Sequence, residues 1–303
     1  MRILVTGGAG QVGWELRRAL AVFGDIVAPP RETLDLASAD SILACMRAQR
    51  PDLVVNSAAY TAVDKAQSEP ALAMKVNGEA PRILAEEAVR LGAALVHYST
   101  DYVFDGGKAG AYVEDDATGP VNVYGETKLA GERAIAASGC PHLVLRTSWV
   151  YAPRGRNFLL TMLRLARERK ELKVVDDQLG APTSARMIAG ATAGAIAALI
   201  ARGRPDPDRF REAGGLYHLT AAGQTSWFGF AQAILAGRTG VAKLVPIPTS
   251  GYPTPAQRPR NSVLDNGRFR GRFGFGLPDW ETGLALCLEE LDRDYQFSGP
   301  ASR

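Results

Sequence analysis

Short apolar runs rich in Val, Ile and Leu alternate along the first half of the chain with longer stretches whose apolar positions recur every three or four residues. The short runs fit buried strands and the longer stretches fit amphipathic helices. Strands are expected at Arg2–Thr6, Asp25–Ala28, Asp52–Asn56, Ala93–Ser99 and His142–Thr147. Helices are expected over Val12–Phe23, Ser38–Arg50, Ala71–Leu91 and Val123–Ala137, each long enough for a right-handed crossover between parallel strands. The pattern predicts an α/β fold, a Rossmann-like doubly wound parallel sheet. After Tyr151 the regularity weakens. Helices near Asn157–Lys170, Thr183–Ile200 and Asp279–Leu291 surround a strand at Gly215–Thr220 and a proline-punctuated stretch. Residues 1–150 are expected to form the Rossmann domain. Residues 151–303 are expected to form mainly a smaller, discontinuous lobe, with part of 180–220 returning to the first domain.

The 303 residues, 46% hydrophobic and 22% charged, suffice for a full core and argue against long disorder. With 35 basic against 32 acidic side chains the net charge is only +3, so no nucleic-acid partner is expected and any anion must be held locally. Cys45, Cys140 and Cys287 are odd in number and far apart, which fits free thiols in a reducing compartment. His97, His142 and His218 share no ligand-like spacing, and no metal site is expected. Met1–Thr6 passes straight into glycine without the apolar core of a secretory signal. The longest apolar stretch, Ile188–Ile200, is too short to cross a bilayer. A cytoplasmic location without a membrane partner is expected.

The first strand runs into Thr6-Gly7-Gly8-Ala9-Gly10-Gln11-Val12-Gly13. Glycines at 7, 10 and 13, where strand passes into helix, let the backbone turn tightly and approach a pyrophosphate, whose charge the helix N-terminus stabilises. A dinucleotide site is expected there. The second strand continues Val27-Ala28-Pro29-Pro30-Arg31 and lacks the acid that binds the ribose hydroxyls in many NAD enzymes. Arg31 would instead accept a 2′-phosphate, which favours NADPH, with NADH as the alternative cofactor.

Tyr124 and Lys128 form a YxxxK pair. Residues four apart share a helix face, so phenol and ammonium can converge on one cofactor ribose. Chance alone supplies about 0.2 such pairs in a chain with this many Tyr and Lys, so context carries the weight. The pair opens the helix after the fourth strand, which ends in Ser99-Thr100-Asp101 at the sheet edge where open α/β folds place ligands. Reducing a ketone by hydride transfer develops negative charge on oxygen, which calls for a proton donor and a second hydrogen-bond donor. Tyr124 is expected to be the acid and Thr100 the carbonyl polariser. Lys128 is expected to be the cation that lowers the phenol's pKa.

The GxxGxxG spacing resembles the extended, nucleotide-sugar branch of the short-chain dehydrogenase/reductase superfamily. Longer blocks are more specific. Tyr98-Ser99-Thr100-Asp101-Tyr102-Val103-Phe104, Asn122–Glu132, Arg146-Thr147-Ser148-Trp149-Val150-Tyr151 and Asp177–Thr183 resemble the dTDP-4-dehydrorhamnose reductase family, as do Gly215–Leu219 and Tyr252–Ser262. The resemblance covers Met1 to about Leu291. It implies NADPH- or NADH-dependent reduction of the 4-keto group of dTDP-4-dehydro-β-L-rhamnose to dTDP-β-L-rhamnose. It also implies that Gly7, Gly10, Gln11, Val12, Gly13, Asp35, Leu36, Ala58, Ala59 and Thr61 line the cofactor, that Tyr124 and Lys128 reach its ribose, and that Thr100, Asp101 and Trp149 contact the sugar. Arg258 and Arg260 are expected near the nucleotide. Some members hold magnesium with acids at a dimer contact. Glu15 matches the first of these, but Arg186 stands where a second acid would be, so no such site is expected.

Two other readings remain open on sequence alone. The first is another nucleotide-sugar enzyme of the superfamily, although a 4,6-dehydratase would carry an Asp-Glu pair after the threonine, where this chain has Asp101-Tyr102. The second is a non-enzymatic NADP-binding regulatory subunit, against which Thr100, Tyr124 and Lys128 argue. The expected partner is a small dTDP-sugar, bound by a monomer or homodimer.

Overall fold

The computed structural model describes residues 1–297, with side chains as far as Asp292. Strands β1 (Arg2–Thr6), β2 (Asp25–Val27), β3 (Leu53–Asn56), β4 (Ala94–Thr100) and β5 (His142–Thr147) form one parallel sheet with a sixth strand, Gly215–His218. Their order across the sheet is Gly215–His218, β5, β4, β3, β1, β2. Every residue of β3 and β4 is buried, because helices cover both faces and leave no solvated side on which polar residues would alternate. Ile3, Val5, Val55, Val96 and Leu145 point to one face. There they pack with Leu16 and Leu20 and with Ile188 and Ile196 of the Ala185–Leu199 helix. Leu4, Val54, Leu95 and Val144 point to the other, against Ile42, Met46, Leu84 and Ala88.

β2 lies on one side of β1, and the chain then crosses back to place β3 on the other. At such a reversal the connections leave the sheet in opposite directions and open a crevice at the carboxyl edge. A second cluster, including Tyr151, Leu159, Met162, Leu172, Phe230, Ile234 and Trp280, sits beyond β5 under a parallel pair formed by Glu171–Val175 and Lys243–Ile247.

Three expected elements differ in detail. The stretch expected as one helix over Ala71–Leu91 is Pro70–Met74, a π turn at Lys75–Glu79, then Ala80–Leu91. Buried Asn77 lies in the π turn, where its Oδ1 accepts the Tyr60 N–H at 2.8 Å and its Nδ2 donates to the Tyr60 carbonyl at 3.1 Å. Tying the loop after β3 in this way takes the place of regular helix register. The first helix stops at Ala19 and is followed by a separate turn, Ala21–Phe23. Thr183–Ser184 pairs in parallel with Val150–Tyr151, so the helix after it begins at Ala185. Among the described residues no helix is long and apolar enough to cross a membrane. Cys45, Cys140 and Cys287 are buried free thiols.

Candidate active site

The turn after β1 is built around close backbone approaches. Gly7 has φ +67°, and a Cβ there would lie 2.9 Å from the Ala58 backbone at the end of β3. The Gly10 N–H donates to the Gly7 carbonyl at 2.8 Å, and a Cβ on Gly13 would lie 2.1 Å from that same oxygen. Side chains stitch the two strand ends together. Thr6 Oγ1 accepts the Ala58 N–H at 3.1 Å, and Ser57 Oγ donates to the Thr6 carbonyl at 2.6 Å. The result is an open cleft of about 620 Å³.

Gly7, Gly10, Arg31, Asp35, Leu36, Ala58 and Ala59 line this cleft, together with Arg17 and Lys65. Gln11, Val12, Gly13 and Thr61 flank it. Gly13 supports the turn from beneath, and Gln11 Oε1 accepts from Asn157 Nδ2 at 2.8 Å, tying the first helix to the cap of the Phe158–Glu168 helix. Arg31 is exposed and stands 3.9 Å from Asp35, a pair that solvent screens. Arg17 was not anticipated from the sequence, although its place four residues after Gly13 on the same helix face is the signal that reveals it.

The catalytic candidates meet at the end of β4. Thr100 Oγ1 accepts the Tyr102 N–H at 3.1 Å and donates to Asp101 Oδ1 at 2.9 Å. Asn122 caps the Val123–Ala137 helix, its Oδ1 accepting the Gly125 N–H at 2.9 Å while its Nδ2 donates to the Gln257 carbonyl at 2.8 Å. That helix starts against the turn following β4 and sets the Tyr124 ring edge-on to Tyr102 at 5.8 Å. The Tyr124 hydroxyl lies near enough to Thr100 for the threonine to act on its titration. Lys128 is buried one turn further on, where its Nζ donates to the Tyr98 carbonyl at 2.5 Å and lies 3.2 Å from His97 Nε2.

The electrostatics differ from the sequence expectation. Burial pushes the Tyr124 phenol up to about 12 and the nearby Asp101 charge adds to this, while the Thr100 hydroxyl beside it works against it. The phenol is therefore not lowered, as the YxxxK pair predicts, but raised, with burial the largest cause. Burial lowers the lysine itself to about 8. The phenol stays protonated at neutral pH, the form a proton donor needs. Burial likewise raises Asp101 to about 6.

Thr147 pairs with Thr100 across β5 and β4, so Trp149 leaves the sheet beside the catalytic strand end. Its backbone has φ +47°, and its indole stacks on Trp227 at 3.5 Å and 6°. Gly180 closes the other side, since a Cβ there would meet the indole at 2.4 Å. Arg258 is already engaged, forking onto Asp64 with two 2.9 Å bonds. Arg186 stands between Glu15 at 3.3 Å and Glu290 at 2.8 Å, where its guanidinium supplies the positive charge these acids face.

The chain resembles known proteins along nearly its whole length. A family model described as the RmlD substrate binding domain matches residues 1–293. A dTDP-4-dehydrorhamnose reductase of Burkholderia thailandensis is 52% identical, over 96% of this chain and 99% of its own length. The chain belongs to the dTDP-4-dehydrorhamnose reductase family. Solved structures of the family have the same fold. A dTDP-4-dehydrorhamnose reductase from Clostridium acetobutylicum superimposes with a TM-score of 0.88 at 35% identity, covering 96% of this chain and 100% of its own. One from Bacillus anthracis, solved in complex with NADP, gives 0.85 at 33% identity and covers 95% and 99%. Within this dTDP-4-dehydrorhamnose reductase scaffold, Gly125 and Asn122 are residues that reading the YxxxK pair alone did not reveal. The glycine directly after Tyr124 is the signal that a backbone must pass close by.

Proposed function

We propose that this chain reduces the 4-keto group of dTDP-4-dehydro-β-L-rhamnose to dTDP-β-L-rhamnose with NADPH. The observation that carries this is the meeting of Tyr124, on the helix that starts against the turn after β4, with Thr100 at the carboxyl end of that strand, and with Lys128 buried one helical turn further on. It sits in a fold whose adjacent strand ends form a glycine cradle that a Cβ would fill. The names of the relatives, and the NADP in the Bacillus anthracis structure, support the same substrate and cofactor.

The residues present fit the cofactor. Gly7, Gly10, Gln11, Val12 and Gly13 would hold its diphosphate by backbone N–H groups and the helix N-terminus. Arg31, with Arg17 beside it, would take a 2′-phosphate, and Asp35, Leu36, Ala58, Ala59 and Thr61 would border the adenosine and ribose. When bound, NADPH supplies the hydride to C4 of the sugar. Thr100 polarises the C4 carbonyl, and the Tyr124 phenol gives its proton to the oxygen as negative charge develops there. Lys128 then faces a phenolate, which its ammonium stabilises until solvent restores the proton. Asp101 and Trp149 hold the sugar, the clamped indole giving a rigid wall. Residues 1–150 with the returning strand at Gly215–His218 act as the cofactor half and the rest as the sugar half, in a cytoplasmic enzyme without nucleic-acid or membrane partners.

The test is isotope transfer. NADPH carrying deuterium at both hydrogens of the nicotinamide C4 should deliver one deuterium to C4 of the product sugar. A reduced sugar without that deuterium would overturn direct hydride transfer at this site.

A further inference from the structure

His97 sits in the middle of β4 with no exposed surface, beside the helix that carries Lys128. Its Nε2 lies 3.2 Å from Lys128 Nζ and its Nδ1 lies 3.0 Å from Nδ2 of Asn56. Asn56 Oδ1 accepts the Thr6 hydroxyl at 2.6 Å, and Thr6 Oγ1 accepts the Ala58 N–H at 3.1 Å. A line of hydrogen bonds therefore crosses β4, β3 and β1, from the buried lysine to the backbone of the glycine cradle. Thr6, Asn56, His97 and Lys128 are each at most 2% exposed, so water does not substitute for any link.

An ammonium has three donors and no acceptor. The Tyr98 carbonyl takes one, at 2.5 Å. His97 can take a second only if Nε2 carries no proton, which places the ring proton on Nδ1 and requires the Asn56 amide to be turned over, its oxygen toward Nδ1 and its NH2 toward Thr6 Oγ1. With Asn56 Nδ2 left against Nδ1, the ring proton falls on Nε2 and an Nε2–H is set against Nζ, which suits only an uncharged amine. A charged lysine in so dry a place therefore depends on which ring nitrogen of His97 is protonated.

We propose that His97 is a positioning residue for Lys128: as the Nδ1–H tautomer, held by Asn56, it accepts from the ammonium and fixes its charge and direction beneath Tyr124. Its catalytic consequence rests on the reductase reading above, whereas the tautomer does not. The charged and titratable groups around Lys128 are few. Tyr124 and Glu132 share its helix, and Asp101 follows β4. Glu132 is committed to Arg146 of β5 through a buried bidentate pair at 2.9 and 2.7 Å, which leaves His97 as the titratable group in contact with Nζ. Burial, with the lysine charge behind it, holds His97 neutral far below its ordinary range.

Two measurements test this. In ¹⁵N NMR of the whole chain, which has three histidines, the ring assigned by its loss in His97→Gln should show a protonated Nδ1 and a bare Nε2. That ring should not titrate between about pH 8 and pH 5. An Nε2–H tautomer, or titration near the ordinary histidine value, overturns the proposal whatever the enzyme's substrate. In NADPH-oxidation assays with dTDP-4-dehydrorhamnose, His97→Leu should lower kcat about tenfold or more with KM for the sugar within about twofold. It should also bring the alkaline fall in rate to lower pH, because the ammonium has lost an acceptor. His97→Gln, which restores an acceptor, should recover most of both. An unchanged kcat and pH profile in folded His97→Leu would overturn the role. If the leucine variant fails to fold, the wild-type tautomer still decides.

Discussion

A Cβ on Gly125 would lie 2.1 Å from the carbonyl oxygen of Tyr102, so the catalytic helix rests its first turn on the backbone that leaves β4. This contact sets the distance between Tyr124 on the helix and Thr100 at the strand end. Gly125→Ala should push the two apart, lowering kcat strongly and costing about 1–3 kcal/mol of stability through overpacking. Thermal unfolding and steady-state kinetics on the same preparation check both. Wild-type kcat in the alanine variant would show that the contact does not set the geometry.

Tyr124→Phe keeps the ring against Tyr102 and removes only the proton donor. It should lower kcat by about 10²–10⁴-fold while leaving NADPH affinity nearly intact. Fluorescence titration of the cofactor beside turnover separates the two effects, and retained turnover would remove Tyr124 from the role of acid.

Asp101 gives a pH signature in stability. Burial raises its carboxyl from 3.8 to about 6, so the folded state holds the proton more tightly than the unfolded chain does. The associated stability is fully present below the unfolded value and is lost as pH rises through about 6. Asp101→Asn removes the buried charge. Relative to wild type it should gain on the order of 2–3 kcal/mol at about pH 8 and nothing at about pH 4. Urea unfolding at the two pH values measures this, and an equal difference at both would show that Asp101 is not raised.

Arg31 and Arg17 border the same cleft on the side expected to meet the adenosine ribose. Replacing either with Ala should weaken NADPH about tenfold and NADH by no more than about twofold, since only the former carries a phosphate for the guanidinium fork. Equal losses for both cofactors, or tighter NADH binding by the unaltered chain, would contradict a phosphate-binding role.

The sheet was legible because its strands are continuous apolar runs separated by helices of crossover length, and β1 and β5 match their expected bounds residue for residue. The break at Lys75–Glu79 was not legible, because it depends on Asn77 reaching the Tyr60 backbone, a long-range pairing that local periodicity does not encode. At the site, the glycines and the YxxxK pair show in the sequence, since both are spacing rules. The charge states do not. Lys128 was expected to govern the phenol, whereas burial and Asp101 dominate it, and the lysine's close partners come from β4. The ion pair of Arg258 with Asp64 was not legible either, because it joins residues 194 apart in sequence.

The most direct test of the central claim is to mix the chain with NADPH and dTDP-4-dehydrorhamnose and to follow cofactor and sugar together. One NADPH should be consumed for each dTDP-β-L-rhamnose formed, with NADP released at every turnover. A sugar that is epimerised or dehydrated with no net loss of NADPH, or no reaction at all, would contradict it.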